Sequence, residues 1–353
     1  MGTTFDIAGR RIGAEQPAFI IAEASTNHNG DLDRAKEMVR IAKDVGADCI
    51  KFQTFTPEEC LTPGKDFTYT SQGQKVTESE IEMFERLAFD RGQWEDLMAF
   101  CREHGVLFLT TVQDSVDLRM MLELGLPGIK KGSDDFDHMP GLVEAAQTGL
   151  PLIISKGMAD LGEVDKVVRT LMTHTDKLAV LHCVSLYPTD PALLNLRQIP
   201  TLAALYPDVV WGFSDHSQGT LASTLAVTLG AKIIEKHFTL DHDLPGPDHW
   251  FSMDPSEMRQ LVQDIRFAEK TMGSGRVELA AGEANSKSIM RRRLVARYDL
   301  SPGVRLNEDT VAFKRAAEGS FMDNWNVIRG NALRVSKCKD VGIAISDVDF
   351  DTS

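Results

Sequence analysis

The chain has 353 residues, 42% of them hydrophobic and 25% charged, which is the composition of an ordinary globular protein with a sizeable core. Its formal net charge of -14 argues against nucleic acid or an anionic membrane surface as the main partner, so an anionic substrate needs locally concentrated Lys and Arg. The five cysteines are scattered without a CxxC pair, and the chain has neither a signal-peptide core nor a bilayer-length apolar stretch, so we expect a cytoplasmic protein.

Up to about residue 240 the chain repeats one pattern, a short β-branched run, a polar turn and an amphipathic helical stretch. The eight runs cover residues 18–25, 48–55, 106–112, 128–133, 151–157, 178–185, 209–215 and 232–240. Eight strands that alternate with helices predict a (β/α)8 TIM barrel. A doubly wound open sheet is the alternative, because a count of strands cannot prove that the sheet closes.

Two segments depart from this repeat. The connection 56–77 is rich in Pro, Gly and polar residues, and so long a loop after a barrel strand predicts a functional role. Beyond residue 273 the sequence becomes rich in strand and turn signals. We therefore predict a barrel domain over 1–275, a linker over 276–290 and a small β-rich domain over 291–353.

Two histidines end neighbouring runs of the repeat, His216 and His237. A strand–helix–strand unit brings both strand ends to one edge of a parallel sheet, so these imidazoles are expected side by side. A single histidine at a strand end is more often a packed or surface residue, but two on adjacent strands followed by a GPDH sequence favour a metal site. The residues expected nearby are Asp215, Lys236, Asp248 and His249.

Lysines and hydroxyl side chains gather at the other strand ends, where a barrel of this kind builds its active site. Strand alternation places Lys51 and Gln53 on one face. Only one of Lys130 and Lys131 can face the interior. We assign it to Lys130 and expect Lys131 to extend between helices towards solvent. Two buried lysines with several hydroxyls predict a site for phosphate or carboxylate.

Several stretches in fixed order resemble one known family, the sialic acid synthases. They read FIIAEASTNHNGDLDRAKEMVRIAKDVGADCIKFQT, SKGMA, LHCVSLYPTD, NLRQI, GFSDHSQG and GAKIIEKHFTLD with GPDH. The tail is similar to the antifreeze-like (SAF) domain of that family. The resemblance implies condensation of phosphoenolpyruvate with N-acetylmannosamine or a related N-acetylated aldose, to give a nine-carbon 2-keto acid and phosphate.

The resemblance also implies roles for individual residues. His216 and His237 match the metal ligands, with Mn²⁺ expected and Mg²⁺ or Co²⁺ as alternatives. The positions implied to bind phosphoenolpyruvate are Lys51, Thr111, Lys130, Ser133, Ser155, Ser185 and Ser214. The sugar-side positions are Glu23, Gln53, Tyr187, Asp248 and Arg315, and proton transfer is expected from Glu23, Asp135 or Asp248. Arg315 matches a residue that reaches the partner subunit's site, which implies a domain-swapped homodimer.

The chain departs from the family pattern at three places. After the fourth strand it reads KKGSDDF where the family usually has K-[IV]-x-S-G-E, so Asp134 and Asp135 replace Gly and Glu. Ala24–Ser25 replaces a common Ile-Gly, and Arg315 is followed by two alanines in place of Pro-Gly. The acceptor therefore stays open between N-acetylmannosamine and a 2,4-diacetamido-trideoxyhexose, which gives legionaminate or pseudaminate. A 3-deoxy-sugar-acid synthase that uses a phosphorylated aldose, and a degenerate sugar-binding barrel, are the other readings.

Overall fold

The structure is a computed structural model that describes residues 3–350. Eight parallel strands close into a barrel, which confirms the predicted (β/α)8 fold and excludes the open sheet. In chain order they are β1 Phe19–Ser25, β2 Cys49–Thr54, β3 Leu107–Val112, β4 Ile129–Lys131, β5 Leu152–Ser155, β6 Leu178–Cys183, β7 Val210–Asp215 and β8 Ile233–His237. Closure comes from β8 pairing with β1, where Ile233 lies opposite Phe19.

Each strand leads to one main helix on the outside of the barrel. The helices are α1 Leu32–Asp44, α2 Arg91–His104, α3 Ser115–Glu123, α4 Met139–Gln147, α5 Leu161–Leu171, α6 Gln198–Leu205, α7 Leu221–Thr228 and α8 Pro255–Met272. Aspartates start several of them, because a carboxylate satisfies the free N–H groups of a first turn. Asp31 accepts from the backbone N–H groups of Asp33 and Arg34 before α1, and Asp254 forms a capping box before α8.

Strand alternation divides the apolar residues into two cores. Residues such as Ile20 and Phe52 face outward and pack under the helices, whereas Phe19, Ile21 and Ile233 fill the barrel interior. The N-terminal hairpin, Thr4–Ile7 and Arg10–Gly13, adds its own apolar side chains to this inner core. The amino-terminal half of the barrel is therefore apolar and closed, and polar side chains occupy the carboxyl-terminal half.

The connection between β2 and α2 is ordered into secondary structure. It contains the helices Pro57–Cys60 and Glu80–Leu87 and a pair of antiparallel strands, Asp66–Ser71 and Gln74–Ser79, which we call the lid hairpin. No helix within residues 3–350 is both long and apolar enough to cross a membrane.

The chain divides into two compact units after Gly273. Where the sequence predicts a linker over 276–290, the structure has a helix at Glu283–Met290. The second unit contains two short antiparallel sheets, Arg293–Ala296 with Val311–Lys314 and Ala332–Leu333 with Val348–Asp349, and a short helix at Trp325–Ile328. Its core is small and aliphatic, and Gly319 has a φ of 104° with a backbone oxygen 2.7 Å from where a Cβ would lie, so a side chain is excluded there.

Candidate active site

A cavity of about 390 Å³ lies at the carboxyl ends of the barrel strands, and we call it the inner cavity. It brings together most of the residues that the sequence singles out. Those that line it are Glu23, Lys51, Gln53, Thr111, Lys130, Ser133, Ser155, Ser185, Tyr187, Ser214, His216 and His237. Period-two alternation explains this convergence, since the last inward position of each strand faces the barrel axis.

A second space of about 510 Å³ adjoins the inner cavity, and we call it the outer chamber. The two spaces share five lining residues, Gln53, Phe67, Phe84, Tyr187 and His237. Asp248 lines the outer chamber, with aromatic side chains from the lid hairpin and from the segment before α8. Of the predicted sugar-side residues, Gln53 and Tyr187 line both spaces. Glu23 lines the inner cavity and Asp248 the outer chamber, whereas Arg315 belongs to the second unit.

Two lysines and two glutamates form a charge cluster at the base of the inner cavity. Lys51 Nζ lies 2.7 Å from Glu23 Oε2 and 3.8 Å from Glu235 Oε2, and Lys130 Nζ lies 3.5 Å from Glu235 Oε1. All four side chains are almost fully buried. Because a buried charge is tolerated only when it is paired, each lysine of the cluster has a glutamate as its partner.

Hydroxyl and amide groups complete the base of the cavity. Lys51 Nζ donates to Thr111 Oγ1 at 2.8 Å, and Lys130 Nζ donates to Ser155 Oγ at 2.8 Å. The Gly157 backbone N–H donates to Ser133 Oγ at 3.0 Å. Cations and hydroxyls so arranged are the donors that bind a phosphate or a carboxylate.

The cluster perturbs the pKa values of its members. Burial raises the pKa of Glu23 to about 7, with Lys51 opposing the rise and Glu235 adding to it. Burial alone would also raise the pKa of Glu235, but Lys130 and Lys51 outweigh it and hold the pKa below its usual value. Burial lowers the pKa of Lys130. Glu23 is therefore the carboxyl group of the cluster that exchanges a proton most readily near neutral pH.

The two histidines stand side by side, with ring centroids 5.3 Å apart. His216 Nδ1 lies 2.9 Å from the Val184 carbonyl oxygen, which leaves Nε2 as its free nitrogen. His237 Nδ1 is buried without a hydrogen-bond partner, 3.6 Å from Asp248 Oδ2. Burial, followed by the nearby cationic groups, lowers the pKa of His237 well below its usual value, so the imidazole is neutral. A neutral imidazole with an orphaned buried nitrogen fits a divalent metal ligand.

Two titratable residues that the sequence analysis overlooked belong to the inner cavity, Glu235 and Cys183. Lys236 does not belong to it: its Nζ pairs with Asp215 Oδ2 at 2.9 Å on the outward side of the barrel. Strand alternation in the sequence predicts both positions, because a side chain of His237 that faces the barrel interior requires Glu235 to face inward and Lys236 to face outward. His249 also faces elsewhere and hydrogen bonds with Thr239.

The expectation that Lys131 reaches solvent is wrong. Its side chain is 3% exposed and its Nζ lies 3.0 Å from Asp135 Oδ2 and 3.0 Å from the Gln113 carbonyl oxygen. The buried ammonium needs a partner, and Asp135 supplies it. Asp135 accordingly does not line the inner cavity, whereas its neighbour Asp134 does.

Comparison with known proteins gives consistent matches. A sequence profile of the NeuB family matches residues 38–277. The chain is 37% identical over 343 residues to N,N'-diacetyllegionaminic acid synthase of Legionella pneumophila, covering 95% of this chain and 96% of that protein. It is 35% identical over 307 residues to N-acetylneuraminate-9-phosphate synthase of Homo sapiens, covering 87% and 85%. The crystal structure of N-acetylneuraminic acid synthetase from Leptospira borgpetersenii superposes with a TM-score of 0.73 at 33% identity, over 81% of this chain and 95% of that one.

Proposed function

Because the chain belongs to the NeuB family, we propose that it is a nonulosonate synthase that joins phosphoenolpyruvate to an N-acetylated aldose and releases phosphate. The observation that carries this proposal is the buried cluster of two lysines and two glutamates beside a pair of adjacent histidines. Lys51, Lys130 and the hydroxyls that they contact can donate hydrogen bonds to a small anion, and the adjoining outer chamber has room for a sugar.

In this proposal the phosphate and carboxylate of phosphoenolpyruvate bind to Lys51, Lys130 and the surrounding hydroxyls. The lysines hold the methylene carbon towards the acceptor aldehyde, so the new carbon–carbon bond forms between positioned reactants. Water then adds to the former C2 of phosphoenolpyruvate, and the carbon–oxygen bond to phosphate breaks. Glu23, with a pKa of about 7, is placed to carry a proton in these steps.

His216 and His237 would hold a divalent ion, Mn²⁺ as the first choice and Mg²⁺ or Co²⁺ as alternatives. When bound, the ion supplies Lewis-acid polarisation of the acceptor aldehyde. What supports the assignment is the orphaned Nδ1 of His237 and the free Nε2 of His216, on neighbouring rings that both line the inner cavity.

A second acceptor class is favoured by the lining of the outer chamber. Phe67, Tyr69, Phe84 and Trp250 provide apolar surface there. A 2,4-diacetamido-trideoxyhexose carries a C6 methyl and two acetyl methyl groups, which gain from such contacts more than the hydroxyls of N-acetylmannosamine do. This acceptor would make the product a legionaminate or a pseudaminate.

Two further parts of the proposal concern the whole chain. The second unit is the candidate antifreeze-like domain, and Arg315 would complete the partner subunit's site in a domain-swapped homodimer. A cytoplasmic location is supported by the five cysteines, all of which are free thiols.

The test is phosphate release from phosphoenolpyruvate with Mn²⁺, screened over N-acetylmannosamine, 2,4-diacetamido-trideoxyhexoses, mannose and arabinose 5-phosphate. Release with one free amino sugar supports the proposal and names the product. Release only with a sugar phosphate moves the protein to the 3-deoxy-sugar-acid synthases. Binding of a sugar without any release makes it a sugar-binding barrel, and Asp134, which lines the inner cavity in place of the family's Gly, becomes the first position to examine.

A further inference from the structure

Ser25 has a backbone conformation that a serine rarely adopts. Its φ is 48°, in the left-handed region, and its side chain is buried at 1% exposure. It lies at the end of β1, where the pairing with β2 shifts register between Glu23 and Ser25. Left-handed backbone at a buried non-glycine residue is strained, and strain of this kind persists where the surrounding structure needs the side chain.

The side chain of Ser25 makes one specific contact. Its Oγ donates a hydrogen bond of 2.6 Å to Asp248 Oδ2, across 223 residues of sequence. Within residues 3–350, no other group donates a hydrogen bond to the Asp248 carboxylate. The same oxygen lies 3.6 Å from His237 Nδ1, so the serine determines how this carboxylate faces the histidine.

The backbone of Asp248 is also hydrogen-bonded, through Ser252, to the turn that follows β1. Ser252 Oγ donates to the Asp248 carbonyl oxygen at 2.6 Å, and Asn27 Nδ2 donates both to Ser252 Oγ at 3.1 Å and to the Phe238 carbonyl oxygen at 2.9 Å. The turn after β1 thus fixes the backbone of the segment after β8 through Asn27 and Ser252. Of Ser25, Asn27 and Ser252, it is Ser25 that hydrogen bonds to the carboxylate itself.

We propose that Ser25 is a positioning residue whose hydroxyl orients the Asp248 carboxylate beside His237 for the acceptor sugar, and that its strained backbone is retained for this contact. The inference rests on the proposed synthase function. Loss of the Ser25 hydroxyl is expected to affect binding and turnover of the acceptor and not binding of phosphoenolpyruvate. The reason is that Asp248 lines the outer chamber, while the proposed anion-binding lysines line the inner cavity.

Two variants separate the hydroxyl from the strain. Ser25→Ala removes the hydroxyl and keeps a Cβ in the left-handed region, whereas Ser25→Gly removes the hydroxyl and relieves the strain. We expect both variants to lower kcat/KM for the acceptor by about tenfold, because each loses one hydrogen bond to a charged group. The KM for phosphoenolpyruvate should stay within about twofold of wild type. Ser25→Gly should nevertheless melt at a higher temperature than Ser25→Ala.

Ser115→Ala is the matched control, because Ser115 Oγ also donates to a carboxylate, Glu144, away from both spaces. This variant should keep wild-type kinetics. Unchanged acceptor kinetics in Ser25→Ala would overturn the proposal. Recovery of wild-type kinetics in Ser25→Gly would overturn it as well, since the strain and not the hydroxyl would then be responsible.

A crystal structure of Ser25→Ala separates this inference from the proposed function. If wild-type protein releases no phosphate with any acceptor, the proposed function fails on its own. The position of the Asp248 carboxylate then decides about Ser25: rotation away from His237 supports the inference, and an unmoved carboxylate contradicts it.

Discussion

His237 and His242 stand five residues apart and differ in burial and in pairing. His237 is buried, with its Nδ1 unpaired. The His242 side chain is 40% exposed, and its Nε2 lies 3.1 Å from Glu257 Oε2. Surface ion pairs of the latter kind contribute little, whereas an orphaned buried nitrogen is unfavourable unless something binds it.

We predict that His216→Ala and His237→Ala each lower Mn²⁺-dependent phosphate release by more than about 100-fold, since even the loss of a ligand's hydrogen-bond partner costs up to that factor. Both should also lose high-affinity Mn²⁺ binding in calorimetry. His174→Ala, at an exposed histidine that lines neither space, is the control and should keep both properties. A folded His237→Ala variant with wild-type rates in the presence of a chelator would remove the metal role.

At the scale of the strand, neighbouring residues of β8 have opposite tasks. Glu235 faces the inner cavity and balances Lys130, while Lys236 faces outward and pairs with Asp215. Asp215 in turn accepts from Ser217 and Ser223, so this outward network ties the end of β7 to α7 and its preceding loop. The inner network lines the cavity, whereas the outward network links secondary-structure elements of the barrel.

We predict that Lys236→Met lowers the free energy of unfolding by about 3 kcal/mol, because it leaves the Asp215 carboxylate buried without a counter-charge. Its KM for phosphoenolpyruvate should stay near wild type. Glu235→Gln should show the reverse pattern: its kcat should fall, while its free energy of unfolding should change less than that of Lys236→Met. Urea unfolding and steady-state kinetics on both variants measure the contrast, and a stable but inactive Lys236→Met would contradict it.

A second element-scale feature is Asp117, near the start of α3. It accepts from the Thr56 backbone N–H at 3.1 Å and from Thr56 Oγ1 at 2.9 Å, which fastens the segment after β2 to α3. Burial, with Asp114 adding to it, raises the pKa of Asp117 to about 7. An unfolded aspartate has a pKa of about 4, so the folded state binds this proton more tightly.

The sign of the pH dependence follows. The contribution of Asp117 to stability is fully present below the unfolded pKa, and it is lost as pH rises from about 4 to about 7. The Asn side chain of Asp117→Asn stays neutral at every pH. We therefore predict that the melting temperature of this variant minus that of wild type is larger at pH 8 than at pH 5. Calorimetry at both values tests this, with the exposed Asp137→Asn as the control. A difference that is constant with pH would contradict the assignment.

At the scale of the whole molecule, the chain consists of two units, each with its own core. Arg315 follows the strand Val311–Lys314 of the second unit and is exposed. An exposed arginine with no role in its own core is available to bind an anion or a sugar elsewhere. In the proposed dimer that place is the partner subunit's outer chamber.

A mixing experiment tests this arrangement. We expect Arg315→Ala to raise KM for the acceptor, and His237→Ala to be inactive. Co-expression of the two variants should restore activity, because a swapped heterodimer contains one barrel with His237 that receives an intact Arg315. Absence of restored activity in purified heterodimers would place Arg315 beside its own barrel.

The sequence alone predicted the eight-strand repeat and most members of its site, whereas only the structure showed that the sheet closes. Eight β-branched runs alternate with helices, and parallel strands in a closed barrel must present their carboxyl ends on one face. That geometry is local and repetitive. The strand pattern therefore predicts that Lys51, Lys130, His216 and His237 lie at one end of the barrel. The regular alternation would also have identified Glu235.

Only the tertiary structure decided the contacts between distant loops. The burial of Lys131 against Asp135, the lid hairpin over the outer chamber and the hydrogen bond from Ser25 to Asp248 depend on how separate segments meet. Strand periodicity predicts which way a side chain points, but it contains no information about which loop lies opposite. The packing of the whole barrel determines which loops meet. Those loop contacts position the residues of the proposed acceptor site.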